Sequence, residues 1–136
     1  MTNTLTALTE AVKASSPVLL VAGDTPTRLL GHPQDIDQDA VVSALGAGVE
    51  RVRAPERVVS DLARAYHRAL SEERPIVVSI PSDIQGQPCR PDDVAGASVP
   101  GRQPVRPPDA SIGAMADLVQ AALHPVIIGG RGAVRA

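Results

Sequence analysis

Three short apolar runs, each opened by a proline, constrain the fold of this chain more than any other feature. They occupy residues 17–23 (PVLLVAG), 75–81 (PIVVSIP) and 125–130 (PVIIGG). Proline is tolerated at the first residue of a strand, where the ladder does not yet need its N–H. Hydrophobicity that is continuous rather than alternating is typical of strands covered on both faces. The three runs therefore predict buried parallel strands.

A fourth strand and three helices are predicted between these runs. Residues 48–53 alternate apolar and polar side chains, as a more exposed strand does. Apolar residues recur at helical spacing along residues 4–14, 56–70 and 111–123. Pro55 suits the start of the second helix. Helices that alternate with buried strands indicate an α/β fold in which a parallel sheet forms the middle of three layers.

The composition changes between residues 85 and 108, where prolines recur with glycine and arginine and without a hydrophobic period. We expect an extended interdomain linker here. Residues 1–84 precede it, and residues 109–136 follow it with one predicted helix, one strand and a glycine-rich turn. One such unit cannot bury both faces of its strand, so we expect it to be the beginning of a second α/β domain.

Composition and charge argue against several classes of function. The net charge of −2 is spread along the chain, and one Tyr is the only aromatic residue, so neither nucleic-acid binding nor binding to an anionic membrane is expected. The apolar runs are too short to span a bilayer, and the first residues do not resemble a signal peptide. The single cysteine, Cys89, allows no internal disulfide. We expect a cytoplasmic protein.

Five stretches carry a family resemblance by their order along the chain. They occupy residues 2–8, 16–24, 32–38, 75–83 and 125–132. In that order they resemble the helix after a Gly-Pro-Gly-x-x-Asn turn, an SPVL-x-x-x-G strand, an F-Q-E-x-D segment, a GPV-x-x-x-IP-x-D strand and turn, and a strand with a glycine turn. Together they are similar to the thiamine-diphosphate-dependent enzymes that include acetolactate synthase, benzoylformate decarboxylase and pyruvate oxidase.

The resemblance implies a domain map and a chemistry. Residues 1–84 would be the second half of an N-terminal pyrimidine-binding domain, residues 85–108 a linker, and residues 109–136 the start of a central domain. The parent enzyme would use thiamine diphosphate with Mg²⁺ in carboligation or decarboxylation of a 2-oxo acid, with its active site between subunits of a homo-oligomer. The family's activating glutamate and its diphosphate and magnesium motif have no counterpart here. The chain is thus expected to hold no catalytic residue and to need missing domains.

Two positions are candidate site residues through the resemblance. Asn3 matches the family asparagine of a cofactor-facing turn, although Thr2 or Asn3 as a helix N-cap is the simpler interpretation. Gln34 matches the family glutamine near the active-site cleft, where an amide can both donate and accept. Pro33 replaces the usual aromatic residue and Asp35 the usual glutamate, so the substrate pocket is expected to differ. A polar surface loop is the alternative for this segment.

The glycine turn after the third run is a candidate nucleotide site. Gly129, Gly130 and Gly132 could let backbone N–H groups hold a phosphate at a helix start, and some members of the family carry FAD in the central domain. The full dinucleotide fingerprint is absent, and a glycine turn after a strand is common. Nucleotide binding is therefore expected only in a longer chain.

Other polar residues are not expected to form sites. The three histidines have no metal-ligand spacing; they are His32, His67 and His124. Three alternating carboxylates lack the pattern of a calcium loop and are expected near a helix start; they are Asp35, Asp37 and Asp39. Cys89 is expected to be an incidental thiol, because nothing in the sequence around it promises a base or a lowered pKa.

Two other hypotheses stay open beside the enzyme component. The chain could be a freestanding α/β binding or scaffold module that serves protein association. It could also fail to form a stable protein, since an open parallel edge favours aggregation. Affinity for thiamine diphosphate, measured with the missing segments supplied, would separate the enzyme component from the scaffold.

Overall fold

The computed structural model describes residues 1–28, 31, 33, 35–88 and 106–135 of the chain. The chain divides into two compact units, Met1–Gly101 and Arg102–Ala136, and each is described by itself. The first unit carries the sheet, and the second holds helices. Among the described residues, no helix is long and apolar enough to cross a membrane.

The first unit alternates helices with strands. A 3-10 turn at Thr2–Thr4 leads into α1 (Leu5–Lys13), and a second one at Pro55–Arg57 leads into α3 (Val58–Glu72). The other elements are β1 (Leu19–Asp24), α2 (Gln38–Ala44), β2 (Gly48–Arg51), β3 (Ile76–Pro81) and α4 (Ser82–Gln85). The three strands overlap the predicted strand segments of this unit, residues 17–23, 48–53 and 75–81, so the prediction of a strand in each of them is confirmed.

The strands form one parallel sheet in the order β1-β3-β2. In register, Ile76 of β3 lies opposite Leu19 of β1 on one side and Gly48 of β2 on the other. Because β3 has a partner on each side and helices on each face, a strand without polar alternation suits this position. The prediction of a parallel strand is confirmed for residues 17–23 and for residues 75–81, but burial on both faces is confirmed only for residues 75–81. β1 lies at one edge of the described sheet, and its Val21 is 54% exposed.

Helices cover both faces of the sheet. Ile76 and Val78 contribute to a core cluster with α3, whereas Val77, on the opposite face of the same strand, contributes to a cluster with α1 and α2. The first cluster also contains Val52, Ala65, Ala69 and Ile84, and the second contains Leu8, Ala22, Val42 and Ala47. The three-layer α/β architecture expected from the sequence is therefore present.

Helix α2 is an element that the sequence analysis did not predict. It has seven residues, too few for a helical period to stand out. Its N-cap is Asp37, whose carboxylate accepts a hydrogen bond of 2.9 Å from the Ala40 N–H, and Asp39 lies in the first turn. The expectation that these carboxylates lie at a helix start is therefore confirmed.

The second unit differs from its prediction at one element. Helix α5 (Asp109–Ala121) matches the predicted helix, and a short helix α6 (Arg131–Arg135) follows the glycine turn. The predicted strand at residues 125–130 is wrong, since the described residues contain no strand that pairs with it. Isolated extended backbone leaves its N–H and C=O groups without ladder partners, so apolar character alone does not make it a strand.

Candidate functional site

All three strands end at the same edge of the sheet. Asp24, Arg51 and Pro81 are the last residues of β1, β2 and β3, and they line a cavity of about 240 Å³. The loop after β1 completes its wall with Thr25, Thr27 and Asp35. Ligands of parallel α/β sheets bind beyond the carboxyl ends of the strands. This space, here called the carboxyl-edge cavity, is therefore the candidate site.

The carboxylate of Asp24 joins the elements around the cavity. Its side chain is 5% exposed, and a buried carboxylate requires partners that offset its lost hydration. Oδ1 accepts hydrogen bonds from the Thr25 N–H at 2.9 Å and from Gln38 Nε2 at 3.1 Å. Oδ2 lies 3.1 Å from Arg51 Nη2 and accepts from the Ser79 hydroxyl at 3.5 Å. Asp24 thus ties the end of β1 to α2, β2 and β3.

Gln38 contributes an unusual acceptor at this edge. The residue is 8% exposed, and its Nε2 also donates to the carbonyl oxygen of Gly23 at 3.1 Å. Its Oε1 is buried and accepts no hydrogen bond from any described group. Leaving a buried acceptor unsatisfied costs about 1–3 kcal/mol, so such atoms are uncommon. Gln38 was not predicted as a site residue, because nothing in the sequence distinguishes it from a surface glutamine.

A second carboxylate closes the loop after β1 onto α4. The Thr27 N–H lies 3.2 Å from both carboxylate oxygens of Asp83, and the Thr27 hydroxyl donates to Oδ2 at 2.5 Å. The hydrogen bond from the Thr27 hydroxyl holds the pKa of Asp83 below its usual value. Asp83 is therefore an ionised acceptor at neutral pH, and it keeps Thr27 at the cavity wall.

An ion-pair network extends from β2 onto α3. Glu50 accepts hydrogen bonds from Arg64 and, at 3.4 Å, from Arg68. Arg64 also pairs with the 2%-exposed carboxylate of Asp61 at 2.8 Å. The hydrogen bond from Arg64 lowers the pKa of Glu50, and the bond from Glu50 raises the pKa of Arg64. The two groups therefore stay oppositely charged around neutral pH.

The chain matches known enzymes along almost all of its length. It is 34% identical over 142 residues to acetolactate synthase of Mycobacterium leprae, a match that covers 98% of this chain. It is 32% identical over 143 residues to the probable 2-ketoarginine decarboxylase AruI of Pseudomonas aeruginosa, which covers 100% of it. The chain belongs to the thiamine-diphosphate-dependent enzyme family that includes acetolactate synthase.

The chain spans about a quarter or less of these relatives. It covers 22% of the M. leprae protein and 25% of the P. aeruginosa protein. A further match, 38% identical over 87 residues, is to 2-hydroxyacyl-CoA lyase 2 of Caenorhabditis elegans and covers 62% of this chain. No protein-family model matches the chain.

The family asparagine position, Asn3, lies in the 3-10 turn before α1, and its side chain is exposed. The prediction that Thr2 or Asn3 caps this helix is wrong. The N-cap of α1 is Thr4, which makes no capping hydrogen bond and whose hydroxyl donates instead to the Met1 carbonyl oxygen at 2.7 Å. The cofactor-facing role of Asn3 stays a prediction.

The direction of α1 relates Asn3 to the carboxyl edge. A methyl group added at Gly46, just before β2, would lie 3.2 Å from Val12 Cγ1. The C-terminal end of α1 is therefore at the amino edge of the sheet. Since a helix is a straight rod, its N-terminal end points toward the opposite edge. Asn3 is thus on the side of the sheet where the carboxyl-edge cavity lies.

Gln34, the family glutamine, lies outside the described residues, as do His32 and Cys89. Its neighbour Asp35 is described and lines the carboxyl-edge cavity, where it accepts a hydrogen bond of 3.1 Å from the Thr25 hydroxyl. Asp35, the residue that follows Gln34 in sequence, therefore lies at the candidate site. A role for Gln34 in a substrate pocket stays a prediction.

The candidate nucleotide glycines lie in the second unit. Gly129 and Gly130 immediately precede α6, and Gly132 is its second residue. All three are exposed, and their role stays a prediction. Within the ranges that the structure describes, no three His, Cys, Asp or Glu side chains are grouped so that they could hold a metal ion.

Proposed function

We propose that the chain forms part of a thiamine-diphosphate-dependent enzyme that carries out carboligation or decarboxylation of a 2-oxo acid. Residues 1–84 would be part of its pyrimidine-binding domain, residues 85–108 its linker, and residues 109–136 the start of its central domain. The observation that carries the proposal is the similarity to acetolactate synthase and to a 2-ketoarginine decarboxylase over 98–100% of the chain.

The polar groups at the carboxyl edge suit the pyrimidine part of the cofactor. The Thr25 and Thr27 hydroxyl oxygens at the cavity wall are acceptors that can meet an amino group. A cavity of about 240 Å³ accommodates a ring or a small acid but not the whole cofactor. When bound, thiamine diphosphate supplies a nucleophilic carbon and an electron sink. The chain's own groups would bind and orient one end of it.

The remaining site assignments follow from the family. Asn3 would face the cofactor and Gln34 the substrate. Gly129, Gly130 and Gly132 would hold a phosphate if the complete enzyme carries FAD. The described residues offer no ligand set for Mg²⁺, so the metal would be held elsewhere in the enzyme. The active site would form only with the remaining domains, in a homo-oligomer.

A chimera tests this proposal. The matching stretch of the M. leprae acetolactate synthase is replaced by this chain, and pyruvate consumption is measured with and without thiamine diphosphate and Mg²⁺. We expect turnover that requires both additions, and no turnover by the chain alone. The control chimera carries Asp24→Ala, which removes the carboxylate that joins the carboxyl edge, and it should lose most of the activity.

The rival function makes the opposite forecast. A scaffold module that serves only protein association would give a soluble, assembled chimera that binds thiamine diphosphate no better than the isolated chain. Fluorescence titration with the cofactor measures this directly. That result would reject the enzymatic proposal.

A further inference from the structure

Two cavities meet at the C-terminal end of β2. Arg51 and Arg53 line both the carboxyl-edge cavity and a second cavity of about 390 Å³ beside β2 and α3. Val52, between them, is completely buried, and its N–H donates to the Ser79 carbonyl oxygen at 3.0 Å. Arg51 and Arg53 therefore flank a buried residue at the place where the two cavities meet.

Most arginines around these cavities are already neutralised. Arg51 Nη2 lies 3.1 Å from Asp24 Oδ2 and 3.4 Å from Asp39 Oδ1. The other two arginines of the second cavity, Arg57 and Arg64, both pair with Asp61. Their charges serve the internal network and attract an external anion only weakly.

Arg53 is different. Its side chain is exposed, and within the described part of the chain it makes no hydrogen bond or ion pair. The nearby carboxylates are engaged elsewhere: Asp35 accepts from the Thr25 hydroxyl, and Asp24 is held by Arg51 and its other partners. Arg53 thus lines the cavity with a guanidinium whose five N–H donors are not used by any described residue.

We propose that Arg53 binds the carboxylate of a small organic acid in the carboxyl-edge cavity. The planar guanidinium matches a carboxylate through two parallel hydrogen bonds. The cavity of about 240 Å³ suits a molecule of that size. Phosphate shares this anion chemistry. Binding does not depend on the proposed function, although naming the acid as its 2-oxo acid substrate does.

Titration of the isotope-labelled chain tests the site. Pyruvate and inorganic phosphate are added separately at constant ionic strength, and the Arg53 side-chain N–H and the Thr25 and Thr27 amide signals are followed by NMR. We expect saturable shifts with pyruvate and a Kd of about 1 mM, typical of a single ion pair with few other contacts. Tighter binding of phosphate would overturn the carboxylate assignment, and the absence of saturation would overturn the site.

Three variants sharpen the result. Arg53→Gln should weaken pyruvate binding by about tenfold or more, because it removes a charge-assisted hydrogen-bond pair. Arg53→Lys keeps the positive charge but loses the two parallel hydrogen bonds of the planar guanidinium. Its Kd for pyruvate should therefore lie between those of the unchanged chain and of Arg53→Gln. Lys13→Gln removes one positive charge at the amino edge and should leave the Kd unchanged. Equal weakening by Lys13→Gln, or no weakening by Arg53→Gln, would contradict the proposal.

The two experiments fail independently. The pyruvate titration uses no cofactor, so an intact Kd beside an inactive chimera would reject only the catalytic proposal. An active chimera with unchanged pyruvate affinity in Arg53→Gln would reject only the carboxylate site. Arg53 is exposed and has no hydrogen bond or ion pair with the described residues, so its variants should fold, and the dispersion of the amide spectrum verifies this.

Discussion

Residues 75–81 and 125–130 have similar sequences and different structures. Each begins with proline and continues with isoleucine and valine. In β3, Ile76, Val77 and Val78 are 0–1% exposed. In the second segment, Val126, Ile127 and Ile128 are 83%, 77% and 90% exposed, and the residues form no strand. The two segments differ in partners rather than in local preference.

The partners decide the outcome because a strand is a shared structure. β3 lies between β1 and β2, so its N–H and C=O groups are paired on both sides, and helices cover both faces. The described residues of the second unit form helices α5 and α6 and contain no strand with which residues 125–130 could pair. An apolar run therefore shows that a segment can be buried, and it does not show what will bury it.

Matched isoleucine variants give the largest expected contrast. Ile76→Ala should lower the free energy of unfolding by about 2–5 kcal/mol, since it leaves a cavity in the core. Ile127→Ala should change it by less than about 0.5 kcal/mol, because the side chain is 77% exposed. Urea unfolding followed by circular dichroism measures both. A similar loss for the two variants would mean that residues 125–130 are buried in solution.

Replacing a glycine with alanine should change stability in opposite directions in the two units. Gly48→Ala in β2 should destabilise the chain by about 1–3 kcal/mol, because its methyl group would overlap Ile76 Cδ1. Gly113→Ala in α5 meets no atom within 4 Å and should raise helix stability by up to about 1 kcal/mol. Thermal unfolding and helical signal at 222 nm measure the two effects. Destabilisation by Gly113→Ala would show that α5 has close neighbours in solution.

Variants of ion-paired carboxylates should give the smallest difference in stability between the two units, and this difference should depend on pH. Arg64 lowers the pKa of Glu50 in the folded chain, so Glu50 adds stability that is complete above its unfolded pKa of about 4.3. This contribution declines as the pH falls through the folded pKa. Glu50→Gln should cost about 1 kcal/mol at pH 7 and progressively less below about pH 4.5.

The exposed pair Arg106–Asp109 provides the comparison for this effect. Its side chains are 79% and 86% exposed, and such pairs contribute little to stability. Asp109→Asn should therefore leave the urea midpoint nearly unchanged at pH 7. If Glu50→Gln has an equally small effect at that pH, the network on α3 does not stabilise the fold.

Local pattern was enough to predict most of the first unit. The strands at residues 19–24, 48–51 and 76–81 and helices α1 and α3 follow from apolar periodicity and proline position. Helix α2 does not follow from the sequence, because seven residues are too few for a helical period of apolar side chains to stand out. The sequence identifies its N-cap, Asp37, only as a carboxylate near a helix start. The predicted site residues came from resemblance. Gln34 lies outside the described residues, and the cofactor-facing role of Asn3 stays a prediction.

The sequence by itself determined the α/β class, the family and the segments able to form strands, because these depend on side-chain pattern along the chain. Only the tertiary structure decided that β3 is central and that Asp24, Gln38 and Arg53 share one edge. Those residues are far apart in sequence, and their proximity arises when parallel strands align their carboxyl ends. Whether an arginine is paired, as Arg51 is, or has no partner among the described residues, as is true of Arg53, depends on neighbours that only folding supplies.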